Sequence, residues 1–216
     1  MVLTTNYKGQ NSIVLLAFAD ATYKFTYVNL RANGRISDGV FQQCQLSNAL
    51  QNNSLNLPPS ECLPGGQIKV PYMIVADDAF PLGEHLIKPY PQRGLTYECR
   101  IFNYRLSRAR RIIENSFGIL VNRFRVLLSP INLSATKVEK ITLCCVILHN
   151  FLCTQNRNVR IKTNIAKKNN LHKICQQGGN QSTNTAREIR DELKRFFNSP
   201  EGKVEWQDRA IANNNM

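Results

Sequence analysis

Acidic residues are scarce in this sequence: Asp and Glu number 15, whereas Lys and Arg number 28. The formal net charge is therefore +13 at pH 7. A surplus of this size favours a polyanionic partner, most often a nucleic acid. A basic protein without such a partner has the same composition, so charge alone leaves both interpretations open.

The sequence also lacks the marks of several protein classes. Its seven cysteines are an odd number with no Cys-x-x-Cys pair, which fits neither a zinc ribbon nor a disulfide framework. The longest apolar run, residues 13–19, is far shorter than the ~20 residues of a membrane span and has no signal-peptide flank. The glycines form neither a Walker loop nor a dinucleotide fingerprint, and no nucleophile elbow is found. We therefore expect a nuclear or cytoplasmic protein with reduced cysteines that is not secreted.

What is present is the composition of an ordinary folded globular protein. Hydrophobic residues make up 43% of the 216, enough for one main domain with a sizeable core. The apolar run at residues 13–19 is followed by alternation from Tyr23 to Tyr27, which predicts two strands joined by a short turn. A helix with Ser37 as its N-cap is predicted next.

Two acids follow another predicted strand. Five apolar residues from Tyr72 to Ala76 stop abruptly at Asp77 and Asp78. A short apolar run between turn signals is typical of a buried strand. The two carboxylates are therefore expected at its carboxyl end.

The stretch from Phe102 to Leu120 predicts a long helix that carries one acid among arginines. Glu114 is the single acid between Arg100 and Arg125, where seven arginines stand. It follows Ile113 by about 100° round the helix, which places it at the margin of the apolar stripe. That stripe is formed by Leu106, Ala109, Ile113, Phe117, Leu120 and Phe124.

Two interpretations of Glu114 fit this pattern. Asp77 and Glu114 could bind Mg²⁺ or Mn²⁺, which prefer oxygen ligands, in a two-metal centre that cleaves phosphodiesters. Alternatively, Glu114 forms an ion pair one turn earlier with Arg110 or Arg111, which stabilises a helix by only about 0.3–0.5 kcal/mol. In the first interpretation, arginines contact the phosphates of double-stranded DNA; the candidates are Arg105, Arg108, Arg110, Arg111, Arg123 and Arg125.

A second, strongly apolar helix is predicted from about Ala135 to Leu152, and we expect it in the core. Cys145, His149 and Cys153 share one of its faces, a spacing that could hold a soft metal ion. Because a fourth ligand is not evident, a packing role is the simpler interpretation.

The composition changes after residue 153. The stretch Thr154–Ala186 contains no acid and is rich in Asn, Gln and Lys, which predicts a polar, basic, flexible linker. Its cations could contact phosphates, serve as a nuclear-import signal or remain solvated. We therefore divide the chain into a domain at 1–153, a linker at 154–186, and a short C-terminal helix with its tail at 187–216.

Five motifs in a fixed order carry a family resemblance. They are "VADDAFPL", "KPYP", "FNYRLSRARRIIENSFGIL", "RFRVL" and "LHNFL". Together they resemble the DDE endonuclease domain of PIF/Harbinger transposases and of nucleases derived from them. The resemblance extends from about Asn6 to Leu152, and weakly to "FFNSPEGKVEWQ" near the C-terminus.

This resemblance implies an RNase H-like α/β fold, a mixed sheet with flanking helices, whose three acids bind divalent metal for DNA cleavage. Asp77 matches the second acid and Glu114 the third, while Asp78 is a lesser candidate. The first acid belongs to a strand that we expect to be missing from this chain, and Asp20, at a hairpin tip, is not expected to replace it. A further departure is Arg31, where the family usually has a small residue.

The expected function is therefore that of a metal-dependent DNA endonuclease, inactive if the first acid is lost. Its expected cofactor is Mg²⁺ or Mn²⁺, and its expected partners are double-stranded DNA and a separate DNA-binding protein. Two alternatives remain open at this point. One is a catalytically dead DNA-binding or protein-interaction module, and the other is an unproductive transposon fragment.

Overall fold

The computed structural model describes residues 13–31, 41, 44–155 and 182–213. These residues fall into two compact units. The first contains the described residues as far as Cys44 and those from Arg111 to Gln155, and the second contains Gln45–Arg110 and the described residues after 181. Helices and strands are both present, which confirms the α/β class. No helix in these ranges is long and apolar enough to cross a membrane.

In the first unit, β1 (Val14–Ala19) and β2 (Phe25–Arg31) form an antiparallel hairpin. The Asp20 carboxylate closes its turn by accepting hydrogen bonds from the backbone N–H of Thr22 at 2.8 Å and of Lys24 at 3.1 Å. Short polar side chains commonly close turns in this way. The predicted hairpin is confirmed, with Asp20 at its tip.

The predicted long helix is also confirmed, as α2 (Tyr97–Arg123). Its residues as far as Arg110 belong to the second unit, and those from Arg111 onward belong to the first. Phe117 and Leu120 are 1% and 0% exposed. The apolar periodicity therefore identified the buried side of this helix in the first unit.

α3 (Ala135–Gln155) packs against the hairpin in the first unit and confirms the second predicted helix. The side chain of Asn150 fixes it to Phe25, because Oδ1 accepts a hydrogen bond from the Phe25 N–H and Nδ2 donates one to the Phe25 carbonyl, each at 2.8 Å. The common apolar cluster contains Leu15, Ala17, Phe25, Phe117, Leu120, Cys145 and Val146.

α3 is buried on one side, as expected of a core helix, and exposed on another. Leu143, Ile147 and Phe151, on the side away from the cluster, are 40%, 66% and 58% exposed. Apolar periodicity identifies side chains that suit burial, but it does not show whether another element covers each face.

The second unit contains short strands and the C-terminal helices. β3 (Glu61–Cys62) pairs with β4 (Lys69–Val70) in antiparallel orientation, and β5 (Ile74–Val75) pairs with β6 (Leu86–Ile87) in parallel orientation. The helices of this unit besides α2 are α1 (Gln45–Gln51), α4 (Asn184–Asn198) and α5 (Gln207–Asn213).

The core of the second unit joins residues far apart in sequence. From α4, Ile189 and Leu193 lie in one cluster with Val70, Leu82, Ile87, Phe102, Leu106 and Ala186. The helix begins at a Thr183 N-cap, whose hydroxyl accepts a hydrogen bond from the Ala186 N–H at 3.2 Å. The predicted C-terminal amphipathic helix is confirmed.

The sheets differ from the expectation. Across the described ranges, the strands pair as three separate two-stranded sheets. The single RNase H-like mixed sheet implied by the resemblance is therefore not seen in these pairings. The strand predicted at Tyr72–Ala76 is reduced to Ile74–Val75, which is half-buried rather than buried.

Some expectations fall outside the described residues. They include Ser37 as an N-cap and most of the predicted linker. At the two ends of that linker, α3 continues to Gln155 and α4 begins at Asn184.

Candidate active site

The carboxyl ends of two parallel strands position Asp77. In the β5–β6 pair, Val75 lies opposite Ile87, and the Ala76 N–H donates a hydrogen bond to the Ile87 carbonyl at 2.8 Å. Asp77 and Lys88 therefore leave the pair at the same edge. In α/β proteins this edge is the usual place for ligands.

Both oxygens of the Asp77 carboxylate have partners. Oδ1 accepts a hydrogen bond from the Asp78 N–H at 2.6 Å, and Oδ2 lies 2.7 Å from Nη1 of Arg110. The two side chains of this ion pair are 31% and 23% exposed, respectively. The predicted acid is thus held between a turn N–H and a cation.

Asp78 and Lys88 lie beside Asp77 at the carboxyl ends of β5 and β6. A hydrogen bond with Asp77 raises the pKa of the Asp78 carboxyl, and burial and the Asp77 charge raise it further, against the opposing charges of Arg110 and Lys88. The Lys88 ammonium donates a hydrogen bond to the Asp78 carbonyl at 3.2 Å. Lys88 begins the motif "KPYP" but was not predicted as a site residue, although its place directly after an apolar strand could have indicated such a role.

Glu114 lies in α2, in the first unit, and is half-buried. Its neighbour Ile113 packs against the apolar cluster of that unit. The predicted position at the margin of the stripe is therefore confirmed. Asp77 belongs to the second unit.

Two of the arginines predicted to bind DNA are used in packing. The Arg105 guanidinium lies 3.9 Å from the centre of the Phe197 ring and donates a hydrogen bond to the Gly202 carbonyl at 2.5 Å. Burial lowers the pKa of this guanidinium. The Arg108 guanidinium lies 4.0 Å from the centre of the Trp206 ring. Both side chains therefore contact the C-terminal segment.

The other candidates differ in exposure. Arg123 is half-buried and donates a hydrogen bond to Sγ of Cys153 at 3.5 Å. Arg111 and Arg125 are exposed, and Arg110 pairs with Asp77. Arg108 is also exposed although it contacts Trp206, so Arg108, Arg111 and Arg125 are accessible to a phosphate backbone.

The face that carries Cys145, His149 and Cys153 is built for packing. His149 is fully buried, and its Nε2 lies 2.8 Å from the Tyr23 carbonyl and 3.4 Å from Sγ of Cys153. Cys145 belongs to the apolar cluster. Burial, together with the charge of Arg123, lowers the pKa of His149 despite the hydrogen bond to Tyr23. This environment favours the neutral imidazole and the packing role.

The donor atoms suit a hard divalent cation in type. Carboxylate oxygens such as those of Asp77 and Glu114 are the ligands that Mg²⁺ and Mn²⁺ prefer. Arg110, however, competes for one Asp77 oxygen. Within the described ranges, no three His, Cys, Asp or Glu side chains are grouped for a metal ion.

A protein-family model described as DDE superfamily endonuclease matches residues 5–150. The chain belongs to the DDE superfamily endonucleases. This membership supports nuclease chemistry with DNA as substrate, and DDE endonucleases generally use divalent metal. Both Asp77 and Glu114 lie inside the matched region, whereas α4 and α5 lie outside it. Searches of curated proteins and of solved structures found no match.

Proposed function

We propose that this DDE endonuclease is of the PIF/Harbinger type and cleaves phosphodiester bonds of double-stranded DNA with Mg²⁺ or Mn²⁺. The observation that carries the proposal is the position of Asp77 at the carboxyl edge of the β5–β6 pair, beside Arg110 and Lys88. A carboxylate bordered by cations suits a site that receives both a metal ion and phosphates. An RNase H-like core is part of this proposal.

Asp77 and Glu114 are the proposed metal ligands. A bound divalent ion would supply an activated water and stabilise the leaving oxygen. Arg110 pairs with Oδ2 of the Asp77 carboxylate, and the Asp78 N–H bonds Oδ1 and orients it. Among the six arginines predicted to bind DNA, the phosphate contacts are assigned to the exposed Arg108, Arg111 and Arg125.

The proposed compartment is the nucleus, where this substrate lies. A separate DNA-binding protein is the proposed partner, because the sequence shows no helix-turn-helix or zinc-finger signature for reading bases.

The test is Mn²⁺-dependent nicking of supercoiled plasmid, followed as conversion to open circles. Asp77→Asn and Glu114→Gln should each abolish nicking while leaving the fold intact by circular dichroism. Glu98→Gln is the matched control, because it removes an exposed acid from the first turn of the same helix. Nicking that survives both site variants would remove these acids from the mechanism.

A catalytically silent DNA-binding module is the second candidate. It is favoured by the ion pair that already occupies Oδ2 of Asp77. In that case the protein should bind duplex DNA equally well with Mn²⁺ and with a chelator, and the wild type should not nick. Asp77→Asn should then leave DNA affinity unchanged or slightly higher, because it removes a negative charge.

A further inference from the structure

A second basic surface lies in the same unit as Asp77, around the ring of Tyr90. The Arg190 guanidinium lies 4.0 Å from the ring centre, and the Lys194 ammonium lies 5.1 Å from it. Both cations project from α4, which Ile189 and Leu193 anchor in the core of the unit. The helix therefore holds two cations against one aromatic side chain.

Lys88 adds a third cation to this surface. It is two residues before Tyr90 in the chain, and its ammonium bonds the Asp78 carbonyl at 3.2 Å. Burial lowers the pKa of Lys88, and the nearby charge of Arg190 lowers it further, against a weaker opposing effect of Asp78. The two positive charges therefore disfavour each other, and a bound anion would relieve that repulsion.

Asp191, the acid next to Arg190 on α4, already has hydrogen-bond partners. Asp191 accepts hydrogen bonds from the Tyr90 hydroxyl at 2.5 Å and from the Lys194 ammonium at 2.9 Å. In the described part of the chain, neither Lys88 nor Arg190 has a carboxylate at ion-pair distance. Arg190 and Lys88 act on Asp191 and Asp78 through charge without forming an ion pair, so both cations can still bind an external anion.

Arg190 also has an unused donor. Its Nε is buried and has no hydrogen-bond partner among the described residues. Buried donors are nearly always bonded, so an isolated one indicates a missing acceptor. A guanidinium stacked on an aromatic ring keeps its edge free for the oxygens of a phosphate.

We propose that Lys88 and Arg190, with Lys194 at the margin, bind a backbone phosphate of the DNA strand that approaches Asp77. The choice of DNA as the polyanion rests on the proposed function. Lys88 connects this basic surface to the candidate active site, because its ammonium bonds the carbonyl of Asp78, the residue after Asp77. Arg190 and Lys194 lie on α4, which is outside the family match. The proposal therefore adds α4 to the DNA-binding surface.

The experiment measures duplex DNA affinity by fluorescence anisotropy over a series of salt concentrations in a chelator, so that cleavage plays no part. Lys88→Gln and Arg190→Gln should each weaken binding at low salt and reduce the slope of log affinity against log salt by about 0.9, the value for one phosphate. Arg209→Gln is the control, since it removes an equal charge from an exposed side chain on α5 in the same unit.

Arg190→Lys tests whether Arg190 binds a phosphate through its planar guanidinium or only through its positive charge. It keeps the cation but loses the planar fork, so it should recover the salt slope while affinity stays below wild type. Lys88→Gln is expected to remain folded, because the Lys88 side chain bonds a backbone carbonyl and lies outside the apolar cluster. Thermal unfolding of each variant checks that it remains folded.

The outcomes separate this proposal from the nuclease proposal. If Lys88→Gln and Arg190→Gln change the slope no more than Arg209→Gln does, the phosphate site is wrong even where the protein nicks DNA. If both reduce the slope and the wild type does not nick, the phosphate site stands and the cleavage function fails. An equal loss on duplex RNA, with wild-type affinity for RNA at least as high, would overturn the assignment to DNA.

Discussion

Nη1 of Arg110 lies 2.7 Å from Oδ2 of Asp77, so the protein itself supplies a cation to the carboxylate proposed as a metal ligand. Both side chains are partly exposed, and water therefore screens the pair. Ion pairs of this kind contribute on the order of 1 kcal/mol or less, which a binding divalent ion can exceed. The pair is therefore weak enough to open when metal binds.

Removing the competing cation should strengthen metal binding. We expect Arg110→Met to raise Mn²⁺ affinity several-fold by calorimetry, because Oδ2 of Asp77 no longer has to leave a guanidinium. The wild type should bind weakly, since two carboxylates form an under-charged site. Arg93→Met is the control, because it removes an equal charge from an exposed side chain in the same unit as Asp77. An Arg110→Met affinity equal to that of Arg93→Met would show that the ion pair does not compete with metal.

The predicted DNA-binding arginines should separate into two groups. Arg105→Ala should lower the free energy of unfolding by about 1–3 kcal/mol, because it removes a stacked guanidinium and a hydrogen bond. Arg111→Ala and Arg125→Ala should leave unfolding unchanged and weaken DNA binding, since both side chains are exposed. Chemical denaturation and DNA titration of the same samples distinguish the two effects. The division fails if Arg105→Ala is as stable as Arg111→Ala.

The local elements were predictable from the sequence because their causes are local. Alternation and the acid at residue 20 specified the hairpin, and apolar spacing specified α2 and α3. The exposure of Ile147 and Phe151 was not predictable, because it depends on what covers each face of α3. The short length of β5 was not predictable either, because it depends on how many residues pair with β6.

The candidate site was predictable in its acids but not in its cations. The run before Asp77 and the periodicity around Glu114 indicated both carboxylates. The use of Arg105 against Phe197, or of Arg190 against Tyr90, depends on contacts between residues about a hundred positions apart. Composition reports how many cations there are, and only the fold determines which of them remain available for DNA.

Gly202 should be intolerant of any side chain. A Cβ built on this residue would overlap the carbonyl oxygen of Phe196 at the end of α4. We expect Gly202→Ala to lower the free energy of unfolding by about 1–3 kcal/mol or more, because the helix end must shift. The control is Gly83→Ala, whose Cβ would meet its nearest neighbour, Leu86, at an ordinary 3.8 Å. Equal unfolding midpoints for the two variants in urea would contradict this steric account.

His149 should make the first unit less stable in mild acid. Burial lowers the pKa of the folded imidazole below its ordinary 6.5, so the unfolded chain binds the proton more tightly. By linkage, the stabilisation is present above about pH 6.5 and is lost as pH falls towards the folded pKa, with a slope of at most about 1.4 kcal/mol per pH unit. Urea denaturation between about pH 5 and pH 7.5, above the range in which ordinary carboxyl groups titrate, measures this slope.

His149→Gln should flatten that dependence, because the amide can still donate to the Tyr23 carbonyl but does not titrate. It should also lower stability at pH 7.5, since the ring packs 5.1 Å from the Phe25 ring. His85→Gln is the control, because its imidazole bonds the Tyr72 carbonyl in the second unit. If the wild type and His149→Gln lose stability in parallel as pH falls, the proton is taken up elsewhere. The buried imidazole then has no part in the acid sensitivity of the fold.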